Sequence, residues 1–168
     1  MNMSTEIKSK HGIVSKQPFE LYMAFVDMRN FLNFLPEDKR EGVTADYDTI
    51  SATVQGFKVG VMVRERVPYS RIEFVDAGAP FAFRGSLHFD AVPSDSGKTD
   101  FHIEFEAELN LMMKMLIGGK LREAMDKLVD GLVAASEGRM PEGMDKDTLE
   151  KMKEELSRRG GDPGSYGN

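Results

Sequence analysis

His11, His88 and His102 are the only histidines in the chain, and no cysteine accompanies them. Imidazole titrates near neutrality, which suits it to general acid–base work and to metal ligation. Alternation between Glu6 and Lys16 puts His11 on the face shared by Ile7, Ser9 and Ile13, an inward face if those isoleucines enter a core. Glu65 alternates in the same way with Val59, Val61 and Val63. An inward His11 within reach of an inward Glu65 would make a general-base pair able to deprotonate an acidic C–H or hydroxyl. Each residue also has an ordinary reading. His11 can be a core histidine satisfied by a carbonyl or a water, and a strand bulge or frayed end returns Glu65 to solvent. His11 and Glu65 are therefore candidates, and no catalytic residue is assigned.

His88 and His102 fall opposite each other if the strands around them close symmetrically about Asp95 and Ser96. The same register sets Arg84 against Glu106 and Ser86 against Glu104. With Asp90 and Glu104 near, the two histidines have the residue types of a metal site, but they sit on an outward face where a solvated cross-strand pair is the ordinary outcome. No metal and no cofactor is assigned. Tyr22 and Tyr47 offer hydroxyls to a ligand, although a tyrosine packed with its tip in water is commoner.

The elements that hold these residues follow from periodicity. A strand over Glu6 to Lys16 precedes Pro18, whose followers Phe19, Leu21, Tyr22 and Phe25 have helical spacing. Asp27 offers an N-cap to a second short helix carrying Phe31, Leu32, Phe34 and Leu35, which Pro36 stops. From Gly42 to Leu109 the period is two, giving six strands broken by turn residues. Phe81, Phe83, Gly85, Leu87 and Phe89 share one face, as do Phe101, Ile103, Phe105, Ala107 and Leu109. Asn110 can cap a long helix whose stripe runs Ile117, Leu121, Ala124, Met125, Leu128, Leu132 and Ala135. Gly118-Gly119 predicts a kink or a close backbone approach within it. Residues 137–168 read as a polar tail with a short helix near Leu149, Met152 and Leu156.

Composition narrows the function. The 168 residues suit one domain, and 22 Lys and Arg against 28 Asp and Glu leave a net charge of -6 with no basic stripe for nucleic acid. The lack of cysteine excludes disulfides, thiolate metal sites and a cysteine nucleophile, and suits a reducing compartment. No run reaches the roughly 18 apolar residues of a membrane span, and the first ten residues have no signal-type apolar core. A cytoplasmic chain without integral membrane association is expected, and its oligomeric state is left open.

Seven antiparallel strands about 4.8 Å apart make a sheet some 30 Å wide, against a helix only about 10–12 Å across. The sheet must curl around the helix and leave room on its concave side. The runs "VSKQPFELYMAFVDMRNFLNFLP", "RVPYSRIEFVDAGAPFAF" and "LREAMDKLVDGLVAA" resemble, in their order, the Bet v 1-like or START-like superfamily. This group, also called SRPBCC, includes polyketide cyclases and lipid-transfer proteins. The likeness covers about residues 4–136. It implies an α+β helix-grip fold: a seven-stranded curved antiparallel sheet around a long C-terminal helix, with two short helices after the first strand. It also implies a cavity between sheet and helix, with Phe31, Phe34 and Leu35 resembling the family's lid. It implies no reaction, since such folds host many functions.

The expected ligand-binding set is His11, Phe31, Phe34, Leu35, Tyr47, Val61, Phe83, Gly85, Phe105, Met112, Met113, Leu116 and Ile117. The flexible methionines Met112, Met113 and Met115 suit a variable apolar ligand, or ordinary core filling. The first functional expectation is binding of a small apolar molecule, such as a lipid, isoprenoid or polyketide, for carriage or sequestration. The second is a cyclase or dehydratase, which needs two inward ionisable groups in mutual reach. The third is a protein-interaction or co-chaperone-like module using the outer sheet face or the tail.

Overall fold

The computed structural model describes residues 3–34, 37–54 and 56–139. Its elements are β1 (Met3–Lys8), β2 (Gly12–Val14), α1 (Pro18–Phe25), short 3₁₀ helices at Met28–Phe34 and Glu37–Lys39, β3 (Val43–Ala45), β4 (Thr49–Val54), β5 (Phe57–Val67), β6 (Arg71–Asp76), β7 (Phe83–Val92), β8 (Asp95–Leu109) and α2 (Leu111–Ser136). The strands form one antiparallel sheet in the order β1-β8-β7-β6-β5-β4-β3, with β2 also on β8. This is the α+β helix-grip architecture. The sequence-predicted tail helix lies outside the described residues.

The expected seven strands are eight because the first one breaks. Lys8 pairs with Glu104 and Gly12 with Phe101, so three residues of one strand face two of the other. Ser9 makes the break workable. Its N–H donates to Ile103 O at 2.9 Å, and its Oγ accepts the Ile103 N–H at 2.8 Å, replacing a ladder bond that the interrupted backbone no longer makes. A one-residue insertion exchanges the faces of everything after it. Ile7 and Ser9 are buried, and beyond the break it is Gly12 and Val14 that are buried while His11 and Ile13 are exposed.

Local signals set the helices. Pro18 opens α1, where its missing N–H costs nothing. Asp27 accepts the Arg29 N–H at 2.9 Å at the head of the first 3₁₀ helix. Asn110 Oδ1 accepts the Met113 N–H at 2.8 Å and caps α2, and Lys127 pairs with Glu123 at 3.2 Å further along.

The core divides into two parts. Near α1 and the C-terminal half of α2, the rings of Tyr22, Phe25, Phe89 and Phe101 pack 5.5–6.1 Å apart with Leu21, Ile72, Val129 and Leu132 around them. Every large side chain that is fully buried belongs here, apart from Leu109. The other part holds Phe83, Ala107 and Leu109, with half-buried Val59, Val61, Phe74, Phe81, Phe105, Met113 and Ile117 against them. The sheet-facing partners of α2 are chiefly β1, β2 and β8, so strands β4 to β6 receive little cover from it.

Three glycines behave differently from expectation. A Cβ on Gly85 would meet the Phe74 ring and lie 2.7 Å from Glu104 O, so Gly85 does not open the interior; the phenyl ring takes its space. Gly118 and Gly119 have nothing within 4 Å of a built Cβ, and α2 runs through them unbroken, with no close approach there. Gly85→Ala should destabilise the fold by about 1–3 kcal/mol through overpacking. Gly118→Ala and Gly119→Ala should each stabilise it by about 1 kcal/mol. Urea unfolding midpoints of the three variants measure both effects.

Candidate functional site

Two places carry candidate chemistry, one on each face of the sheet. On the concave face, β7 and β8 present Phe83 and Phe105 with ring centroids 5.3 Å apart, and Phe81 lies 5.9 Å from Phe83. Val59 and Val61 of β5 extend this surface, and Met113 and Ile117 of α2 face it. The structure thus brings together the predicted Val61, Phe83, Phe105, Met113 and Ile117. Val59, Phe74 and Phe81 join them from outside the expected ligand-binding set, and Phe74 fills the space beside Gly85.

Other predicted residues lie elsewhere. Phe31 packs 5.1 Å from Phe25 in the closed part of the core. Tyr47 is exposed, with the Arg66 guanidinium 4.1 Å above its ring. Arg66 also donates to Val26 O and Tyr47 O and pairs with Asp48, tying the 26–28 turn to the sheet. Met112 and Leu116 are 70% and 62% exposed, on the flanks of α2 turned from the sheet, beside exposed Leu111 and Met115. Leu35 and the side chain of Phe34 lie outside the described residues.

An open groove of about 280 Å³ runs where α2 passes β1, lined by Thr5, Glu6, Ile7, Lys114, Gly118, Gly119 and Arg122. It is the space that the two glycines leave. A second open depression, of about 260 Å³, lies on the outer face above Gly85, with Glu6, Arg64, Glu73, Arg84, Ser86, Glu104 and Glu106 around it. Neither is the enclosed chamber between sheet and helix that the sequence leads one to expect.

His11 and Glu65 do not form the general-base pair. The break after Lys8 turns His11 to the outer face, where its side chain is 59% exposed and its Nδ1 lies 2.8 Å from Asp100 Oδ1. In β5, Val63 pairs with Phe74 and Glu65 with Glu73, so Arg64 is an extra residue and Glu65 turns outward. Strands β8, β7 and β6 separate the two residues, and neither reaches the concave face.

The same turn assembles something else. The His11 ring stacks on His102 at 4.1 Å with a 17° interplanar angle, and His102 stacks on His88 at 4.4 Å and 10°. All three imidazoles of the chain stand in one column on the outer face. His88 pairs directly across the hairpin with His102, in the register expected, along with Arg84–Glu106 and Ser86–Glu104. His88 Nε2 lies 2.7 Å from Glu104 Oε2 and 2.8 Å from Ser86 Oγ, and His102 Nε2 lies 3.4 Å from the same Glu104 oxygen. The His88 and His102 side chains are only 19% and 12% exposed. This is not a solvated surface pair.

Burial lowers the His88 pKa below its ordinary value of 6.5, and a charge on neighbouring His102 or on Arg71 pushes it the same way against the pull of Glu104 and Asp90. The folded state therefore favours neutral His88. Its contribution to stability is present above the unfolded value near 6.5 and is lost as pH falls from there through the lower folded value. In chelator-treated protein, the unfolding free energy should drop over that acid range, and His88→Gln should flatten the drop; urea titrations at stepped pH measure it.

No family model matches the chain, and no curated protein matches it. Solved structures do. The Mll3558 protein of Rhizobium loti superposes with a TM-score of 0.62 at 12% identity, covering 80% of this chain and 98% of that one. Norcoclaurine synthase of Thalictrum flavum, in complex with dopamine and hydroxybenzaldehyde, gives 0.55 at 10% identity over 94% and 86%. A point mutant of that enzyme with a transition-state analogue gives 0.53 at 12% identity over 77% and 96%. At this identity the likeness is one of fold: a curved antiparallel sheet gripping a C-terminal helix, the Bet v 1-like fold, is the fold of this chain.

Proposed function

We propose that the chain binds a small apolar molecule in the cleft between the N-terminal half of α2 and strands β4 to β7, for carriage or sequestration. The observation that carries this reading is apolar surface without protein cover among the described residues. Met113 and Ile117 on one wall and Val59, Val61, Phe74 and Phe81 on the other are only half-buried. Leu111, Met112, Met115 and Leu116 are exposed on the same end of α2. A guest covering a half-buried large apolar side chain would contribute roughly half of the 1.5–3 kcal/mol of full burial. The flexible Met113 helps this surface fit guests of different shape.

The reading stops at binding. A cyclase or dehydratase needs two inward ionisable groups in mutual reach, and its candidates, His11 in the break before β2 and Glu65 of β5, face solvent. The fold supports a small-molecule role, as the ligands bound to the norcoclaurine synthase structure illustrate for that enzyme. We assign binding to residues 4–136, and the missing cysteines favour a cytoplasmic setting. Among the described residues, no helix is long and apolar enough to cross a membrane.

Native mass spectrometry of the full chain after incubation with an organic extract should find a retained apolar molecule. Anilinonaphthalene sulfonate should fluoresce on binding, and Ile117→Asp should weaken that binding by at least about tenfold, or about 1.4 kcal/mol. Lys120→Ala, on the exposed side of α2, should leave it unchanged. Failure of the wild-type chain to retain any extract component, with equal probe binding by the Ile117→Asp chain, would remove this function.

A further inference from the structure

The outer face carries a second site, independent of the cleft. We propose that His88, His102 and Glu104 bind a divalent transition-metal ion of the zinc or copper type. Two imidazole nitrogens and a carboxylate are the donors such ions prefer, and three protein ligands leave open positions for water or an exogenous ligand. The three ligand atoms lie within 4.8 Å of one another. Both Nε2 atoms lie beside the same carboxylate oxygen, at 2.7 and 3.4 Å, so the three donor groups are already gathered, although their lone pairs are not yet aimed at one point.

The scaffold favours the site. His88 and His102 are directly opposed in the central β7–β8 hairpin, and Glu104, two residues on in β8, stays on the same face. Alternation on a paired hairpin fixes all three Cβ positions, so only side-chain rotation remains. His102 Nε2 donates to the Glu104 carboxylate at 3.4 Å, and its buried Nδ1 has no hydrogen-bond partner. An ion on Nε2 would replace that proton and leave the ring proton on Nδ1. Ser86 and Glu104 also line the 260 Å³ depression, which gives the open coordination positions somewhere to face.

The electrostatics are mixed. Lys8 Nζ lies 3.6 Å from the other oxygen of Glu104, and Arg71 pairs opposite His88. Glu104, Asp90, Asp100 and Glu73 set negative charge against these two cations on the same face. Rings stacked in parallel 4.4 Å apart cannot both direct a lone pair at one ion about 2.0–2.1 Å away. Binding must therefore turn His88 and His102 out of their stack, which gives the site a signature beyond affinity.

Zinc chloride titrated into the EDTA-treated full chain at neutral pH, followed by calorimetry, should show one ion bound per chain. Glu104→Gln, nearly isosteric, and His88→Gln should each weaken zinc binding by at least about tenfold. His11→Gln, at the far end of the column, should not. In the wild-type chain, zinc should move the imidazole nitrogen resonances of His88 and His102, and in the Glu104→Gln chain it should move them far less. Absence of zinc uptake, or equal uptake by the wild-type and both substituted chains, overturns the assignment. Circular dichroism of each variant separates loss of fold from loss of a ligand, and should a variant unfold, the wild-type resonances decide alone.

Discussion

The break between β1 and β2 is the irregularity on which the rest of the molecule depends. A single extra residue, held in place by the two hydrogen bonds between Ser9 and Ile103, inverts the faces of the chain that follows. Gly12 then lies beneath α2, where a Cβ would come within 2.5 Å of Val129 Cγ1, and Val14 enters the core. The same break sends Lys10 to α2, its backbone N–H to Asp126 at 2.7 Å and its ammonium to Asp130 at 2.7 Å, while the Ser15 N–H reaches Ser136. The C-terminal half of the helix is gripped here. His11, turned outward by the same residue count, completes the imidazole column. An unbroken strand would have put a histidine under the helix and an isoleucine in place of Val14.

Gripping at one end has a consequence at the other. The rings of Phe25, Phe89 and Phe101 and the contacts of Val129 and Leu132 close the part of the concave face near α1. In the N-terminal half of α2, Met113 and Ile117 pack toward β5 to β8, and Gly118 and Gly119 supply no side chains to fill the groove toward β1. One helix is too narrow for the whole sheet. Half of the interior is densely packed, and toward the N-terminus of α2 the facing apolar side chains are only half-buried. Loose packing at the α2 N-terminus and dense packing at its C-terminus are two results of one geometric limit.

Most of this architecture was legible in the residues. The β7–β8 register, the Asn110 cap and the Glu123–Lys127 pair were readable because each rests on local chemistry or on uninterrupted alternation. His11 and Glu65 were not, and for the same reason. A period-two pattern carries no mark of an inserted residue, so alternation read across the breaks at Ser9–His11 and at Arg64 gives the wrong face beyond each one. Gly12 was the available signal: an isolated glycine in a strand marks a bulge or a close backbone approach. Gly85 entered the expected ligand-binding set because alternation does not reveal that a neighbour's ring, here Phe74, fills the space beside it. The helix-facing members of the cleft were readable from the stripe on α2. Exposure of Leu111, Met112, Met115 and Leu116 was not, because it depends on where the helix stops touching the sheet.

The two faces of the β7–β8 hairpin divide the chemistry between them. Inward positions carry Phe83, Leu87, Phe89, Phe101, Ile103 and Phe105; outward ones carry Arg84, His88, Asp90, His102, Glu104 and Glu106. Two ionisable groups near the concave face are engaged within the protein. Asp76, opposite Val61, accepts the Phe83 N–H at 3.1 Å, and Arg66 is committed to two backbone carbonyls and to Asp48. The surface proposed for a guest is made of hydrocarbon and aromatic faces. The site proposed for an ion offers nitrogen and oxygen donors. Strand alternation keeps the two environments a sheet's thickness apart on the same residues' neighbours. The rigidity that fixes one set of side chains fixes the other, without requiring either site to be filled.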